Sequence, residues 1–144
     1  MMLNNKKGFT LGEVMVVLAI VLIVGALMWP FIRHSNERLG NIACANNLRK
    51  IGRALYIYAR EHEGRFPPTM STLYDEQYLA DTRLMDCPAS KTIGTVESPD
   101  YIYTAGLSVR SPSQDPLVTD KAANHPGGGK NFLFVNGAVD WAGE

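Results

Sequence analysis

The sequence predicts an α+β fold in which one long N-terminal helix, membrane half followed by amphipathic half, packs on a small antiparallel sheet. Three observations predict it. Val14 to Ile32 is a run of nineteen uncharged, mostly apolar residues. Cys44 to His62 repeats its apolar positions at helical spacing. Phe132 to Trp141 reads as two short strands around Asn136-Gly137.

The apolar run comes first. Its length is close to what a helix needs to cross a bilayer. Lys6 and Lys7 precede it, and cationic flanks stay on the cytoplasmic side, so the N-terminus is expected inside and the bulk of the chain outside. Arg33, His34 and Arg38 follow the run and reduce that asymmetry. A cleaved secretory signal would have a shorter apolar core and a small-residue site after it; here Met28-Trp29-Pro30 stands in that place. A plain signal anchor fits the length and flanking charge equally well.

Glu13 separates an anchor from something more specific. A carboxylate at the edge of an apolar span is costly unless paired, and such residues are functional candidates. The stretch Lys6-Lys7-Gly8-Phe9-Thr10-Leu11-Gly12-Glu13 followed by Val14 to Ile32 resembles the type IV prepilin N-terminus, shared by type IV pilins and type II secretion pseudopilins. The resemblance implies a leader, 1–8, cut between Gly8 and Phe9 by a prepilin peptidase that also methylates the Phe9 amine. It further implies a transmembrane and assembly helix over 9–35 and a head over 36–144. Glu13 would pair with the N-terminal amine of an adjacent subunit; the alternative is that it lies at headgroup level. Gly12 departs from the bulky apolar residue usual in the family, and glycine weakens a helix by about 1 kcal/mol relative to alanine. Pro30 is a second match to the family. It cannot donate to the carbonyl of Ala26, so a kink is expected there.

The helix is expected to continue. Cys44, Leu48, Ile51, Leu55, Tyr58 and His62 fall on one face, with Arg49, Lys50, Arg53 and Arg60 on others, giving an amphipathic helix from about Asn36 to His62. Gly64 and Pro67-Pro68 stop it. Ser71 or Thr72 can cap a second helix reaching about Leu79. Tyr101 to Tyr103 and Leu117 to Thr119 are strand candidates, separated by an exposed loop over Ser108 to Pro116. Asn-Gly favours a two-residue hairpin turn. That turn would set Phe132 opposite Trp141 and Phe134 opposite Val139 on one apolar, core-facing side.

Composition agrees with a small anchored subunit. Of 144 residues, about 110 lie beyond the span, enough for one modest core. The 14 basic and 14 acidic side chains balance, and loss of Lys6 and Lys7 with a leader leaves 12 against 14. No basic field points to nucleic acid, and none is expected as a partner of the head. Cys44 and Cys87 are the two cysteines. Outside the cytoplasm they can form one disulfide, worth on the order of 3–4 kcal/mol; two separate thiols are the alternative. Neither has the paired Cys or His spacing of a metal site.

Other signals are weaker. His125-Pro126-Gly127-Gly128-Gly129-Lys130-Asn131 lacks P-loop spacing and suits a flexible approach to the hairpin. Asp115, Asp120 and Asn124 could supply oxygen ligands, and the resemblance brings calcium into view because some major pseudopilins hold it in a C-terminal loop, but no calcium-loop pattern is present. No cofactor is expected. His34, His62 and His125 stand isolated from any nucleophile–base arrangement, so an enzyme is the least supported class.

The head also resembles pseudopilin-like proteins through Cys44-Ala45-Asn46-Asn47-Leu48, Ile51-Gly52, Ala54-Leu55, Tyr58-Ala59, Cys87-Pro88 and Asn131 to Val139. The likeness is nearest the major-pseudopilin type. It implies a ladle-shaped filament subunit of a type II secretion-like system. Before assembly the subunit would be a single-pass inner-membrane protein with a periplasmic head. Its partners would be membrane lipid, further copies of itself, the prepilin peptidase, an assembly platform and minor pseudopilins. A type IV pilus or DNA-uptake pilin is the alternative within the family. A membrane-anchored module binding an envelope glycan or protein, through Tyr56 or Trp141, is the alternative outside it.

Overall fold

The computed structural model describes residues 10–121, 123–125 and 128–143, except the side chains of residues 31 and 33–37. It is α+β. Helix α1 (Leu11–Glu61) is followed by a one-turn helix α2 (Thr72–Asp75), a 3-10 turn (Thr82–Met85) and four strands: β1 (Tyr101–Tyr103), β2 (Pro116–Asp120), β3 (Lys130–Phe134) and β4 (Val139–Ala142). The strands form an antiparallel sheet in the order β1-β2-β3-β4. The chain divides into two compact units, Met1–Asn36 and Glu37–Glu144.

In the first unit α1 is apolar around its whole circumference over Leu11–Pro30, Glu13 apart, and it runs through Gly12 and Pro30 as one continuous helix. In the second unit α1 supplies the floor of the core. Cys44, Leu48, Ile51, Leu55 and Tyr58 are all buried, on the face their spacing predicts. His62 lies just beyond the helix and stays partly exposed, its ring stacked on Tyr58 at 3.7 Å. The helix stops because the chain turns left-handed: Glu63 and Gly64 both have positive φ, and the Gly64 N–H returns to the Ala59 carbonyl at 2.8 Å. Gly52 lets the sheet approach. A β-carbon there would sit 3.1 Å from a methyl of Leu133.

Two local expectations need correction. The second helix is one turn rather than two, because Gln77 adopts a positive φ of 62° and ends it. Ser71 does not cap it through its side chain; its hydroxyl instead meets Thr69 at 2.9 Å. The 3-10 turn is capped by a side chain, Asp81 accepting from the Arg83 N–H.

The hairpin exists, but its register is shifted by one. Leu133 pairs with Val139, Phe132 with Asp140 and Asn131 with Trp141. The Phe134 N–H donates to Ala138 and the Gly137 N–H to Phe134, so Val135, Asn136 and Gly137 form a three-residue loop with Gly137 left-handed at φ 82°. This is the turn-plus-glycine-bulge hairpin, the next commonest after the two-residue loop. A slip of one residue exchanges the faces of a strand. Asn131, Leu133 and Val135 therefore face the core, while Phe132 and Phe134 stack on each other at 6.1 Å on the opposite side. Trp141 is 42% exposed.

Candidate functional site: the assembly helix and the polar centre of the head

The start of α1 is built by reciprocal hydrogen bonds. The Thr10 N–H donates to Glu13 Oε2 at 2.8 Å and the Thr10 hydroxyl to the same oxygen at 2.9 Å. In return the Glu13 N–H donates to Thr10 Oγ1 at 3.3 Å. This is a capping box, in which Thr and a Glu three residues later satisfy each other's helix-end donors. The pattern Thr-x-x-Glu stood in the sequence, but Glu13 drew attention for its charge and its capping role was missed. Gly8 and Phe9, the expected cleavage and methylation positions, lie outside the described residues.

Behind this cap, Leu11–Pro30 is a 20-residue helix long and apolar enough to cross a membrane, and none of it is buried by the rest of the chain. Its rise is about 30 Å, the thickness of a bilayer's hydrocarbon core. Leu22 and Leu27 are 73% and 71% exposed. A helix apolar all round is covered by lipid or by other protein, so this surface requires an apolar environment that the chain itself does not supply.

Cys44 and Cys87 are joined in a disulfide, with Cα atoms 5.3 Å apart and a sequence separation of 43. Both are buried. His125 brings its ring within 3.9 Å of the Cys87 sulfur, and these three residues are the one potential metal-ligand group of three or more among the described residues. The disulfide uses both sulfurs.

Beside the disulfide lies a buried polar centre that sequence reasoning did not assemble. Asp120 Oδ2 accepts from the Asn131 main-chain N–H at 3.0 Å and from its side-chain amide at 2.7 Å, and meets His125 Nε2 at 2.7 Å. Asp100 accepts from the Cys87 N–H at 3.1 Å and from the Thr92 hydroxyl at 3.1 Å. The Asn124 amide donates to the Asp100 carbonyl at 2.7 Å. The three residues that could supply oxygen ligands have the following partners. Asp120 is tied to His125 and Asn131, Asn124 to Asp100, and the Asp115 carbonyl receives the Val135 N–H at the hairpin loop. The two remaining side chains singled out for binding differ in position. Tyr56 is partly buried against Phe66 with its hydroxyl donated to the Val135 carbonyl, while Trp141 meets His125 edge to face at 5.0 Å.

Comparison with known proteins agrees with this anatomy. Residues 3–29 match the prokaryotic N-terminal methylation motif. The chain is 29% identical over 90 residues to the competence protein ComGC of Halalkalibacterium halodurans, covering 62% of this chain and 84% of that protein. It is 27% identical over 89 residues to the ComG operon protein 3 homolog of Bacillus licheniformis, covering 62% and 89%. To the competence protein ComGC of Bacillus subtilis it is 28% identical over 89 residues, covering 62% and 88%. No solved structure matches the chain. The methylation motif laid on an exposed apolar helix, with these relatives beside it, supports a chain of the pilin and pseudopilin type.

Proposed function

We propose that the chain is a filament subunit of a competence-type system, a pilin-like protein that polymerises in support of DNA uptake. The observation that carries the filament reading is the uncovered apolar helix Leu11–Pro30 directly behind the methylation motif. The three relatives, two of them named as competence proteins, favour uptake over the secretion reading. In this reading the prepilin peptidase cuts after Gly8 and methylates Phe9, and the subunit waits in the membrane as a single-pass protein. An assembly platform then draws it into a fibre with further copies and minor subunits, where neighbouring helices replace lipid around Leu11–Pro30. That exchange gains little from the hydrophobic effect, because lipid is as apolar as the fibre interior, so helix packing and polar contacts must drive it. Glu13 supplies the polar contact. Its carboxylate pairs with the cationic Phe9 amine of a neighbour, and methylation leaves that charge in place.

The test is a deletion strain, with and without complementation, assayed in parallel for transformation frequency and for exported proteins. Loss of transformation with an unchanged secretome is expected. Retention of normally exported proteins with normal transformation would replace this reading with type II secretion. No change in either, with Met1 to Gly8 still attached, would leave a membrane-anchored envelope-binding module.

A further inference from the structure

The exposed face of α1 in the second unit has an unusual composition. Seven of its exposed positions, 38, 42, 46, 49, 53, 57 and 60, advance by steps of four and three, so they form one stripe, flanked by exposed Leu39, Lys50 and Glu61. The stripe reads Arg38, Ile42, Asn46, Arg49, Arg53, Ile57, Arg60. It rises about 33 Å along the helix. It contains no acidic residue, and among the described residues none of its four arginines is in a salt bridge. Arg49 meets only the neighbouring Asn46 amide oxygen, at 2.9 Å. Arg49 and Arg53 are four apart, a spacing at which like charges repel. A solvated helix face ordinarily mixes signs. Ile42 and Ile57 are 58% and 49% exposed, and arginine with exposed apolar side chains is the composition of a protein interface.

The same unit carries the complement. Glu61 and Glu76 both act on Tyr78, whose hydroxyl donates to Glu61; Glu76 lies 3.8 Å from His62, and Asp75 is exposed beside it. Glu61 follows Ile57 by one turn, so the acidic patch begins at the C-terminal end of the arginine stripe and continues over Asp75 and Glu76. Two unlike, complementary patches on one chain make a head-to-tail contact, which propagates into a fibre when it does not close a ring.

We propose that the stripe Arg38, Arg49, Arg53 and Arg60, with Ile42 and Ile57 between, docks on the acidic patch Glu61, Asp75 and Glu76 of a second copy of this chain. The proposal rests on the filament reading and names the head contact within it. The overall charge balance conceals this surface, because the acids that offset the arginines lie elsewhere in the head.

The test uses full-length chain in its own host. Arg53→Glu with Arg60→Glu, and separately Asp75→Lys with Glu76→Lys, should each lower sedimentable fibre at least tenfold. Disulfide formation, read on non-reducing gels, checks that each variant folds. All four changes in one chain should restore fibre to within about threefold of wild type. A photo-crosslinking residue at position 53 should form intermolecular adducts that map to residues 66–83. Normal fibre from the Arg53→Glu, Arg60→Glu chain, or adducts mapping elsewhere, would overturn the contact. Intact fibre with lost DNA retention would overturn it in favour of a nucleic-acid surface. If wild type gives no fibre, adducts to 66–83 would keep the contact and reject the filament reading, and their absence would reject both.

Discussion

Glu13 and Thr10 satisfy each other at the first turn of α1, each side chain accepting the main-chain N–H of the other. The carboxylate at the edge of the apolar helix thus holds a helix end through a single oxygen. Capping and intersubunit pairing make different demands, since an amide oxygen can cap but cannot pair with a cationic amine. Glu13→Gln and Glu13→Ala are therefore both expected to leave cleavage within about twofold of wild type and to lower fibre yield more than tenfold. Quantifying processed chain and sedimentable fibre for both variants checks this; normal fibre from Glu13→Gln would reduce Glu13 to a cap.

Asp120 joins β2 to β3 and to His125 through one buried oxygen. Removing it strands two Asn131 donors and His125 without exposing them to water. Asp120→Ala should destabilise the head by about 3–5 kcal/mol, the range for breaking a buried charged network. Urea unfolding of the full chain in detergent, followed by tryptophan fluorescence, reads the shift.

The disulfide closes a 43-residue separation, which in the chain-entropy account is worth about 4 kcal/mol. Cys44→Ser with Cys87→Ser should lose most of that. The same unfolding experiment measures it, and a loss below about 1 kcal/mol would mean that the staple is redundant with the core around it.

Alkaline pH should loosen the head. The Tyr78 phenol is pushed up to about 12 by its hydrogen bond to Glu61, and Tyr74 to about 12 by burial and the nearby Asp81. Burial also raises Tyr101 and Tyr103. A raised phenol stabilises the fold fully below its unfolded value near 10 and loses that contribution as pH rises through the folded value. Stability should thus fall between about pH 10 and 12. Phenolate absorbance of folded and urea-unfolded chain tests this; a folded titration identical to the unfolded one would contradict it.

Much of this anatomy was legible in the sequence, for physical reasons. The core face Cys44, Leu48, Ile51, Leu55 and Tyr58 is one helical period and needed no tertiary information. The Asn136-Gly137 signal located the hairpin correctly. It could not choose between a two-residue and a three-residue loop, and that choice exchanged Phe132 and Phe134 for Leu133 and Val135 in the core. Strand alternation offered no correction because the hairpin is apolar on both faces. Asp120, His125 and Asn131 meet only once β2 and β3 are paired, so no spacing announces them. The arginine stripe was present as residues, but its significance depends on which acids fold elsewhere.

The central claim is that this chain is processed and polymerised. The most direct measurement is the intact mass of the chain in fibres sheared or sedimented from its own cells. A subunit beginning at N-methylated Phe9, oxidised at Cys44 and Cys87, and enriched in the fibre fraction is expected. A chain retaining Met1 to Gly8 and confined to the membrane fraction would contradict it.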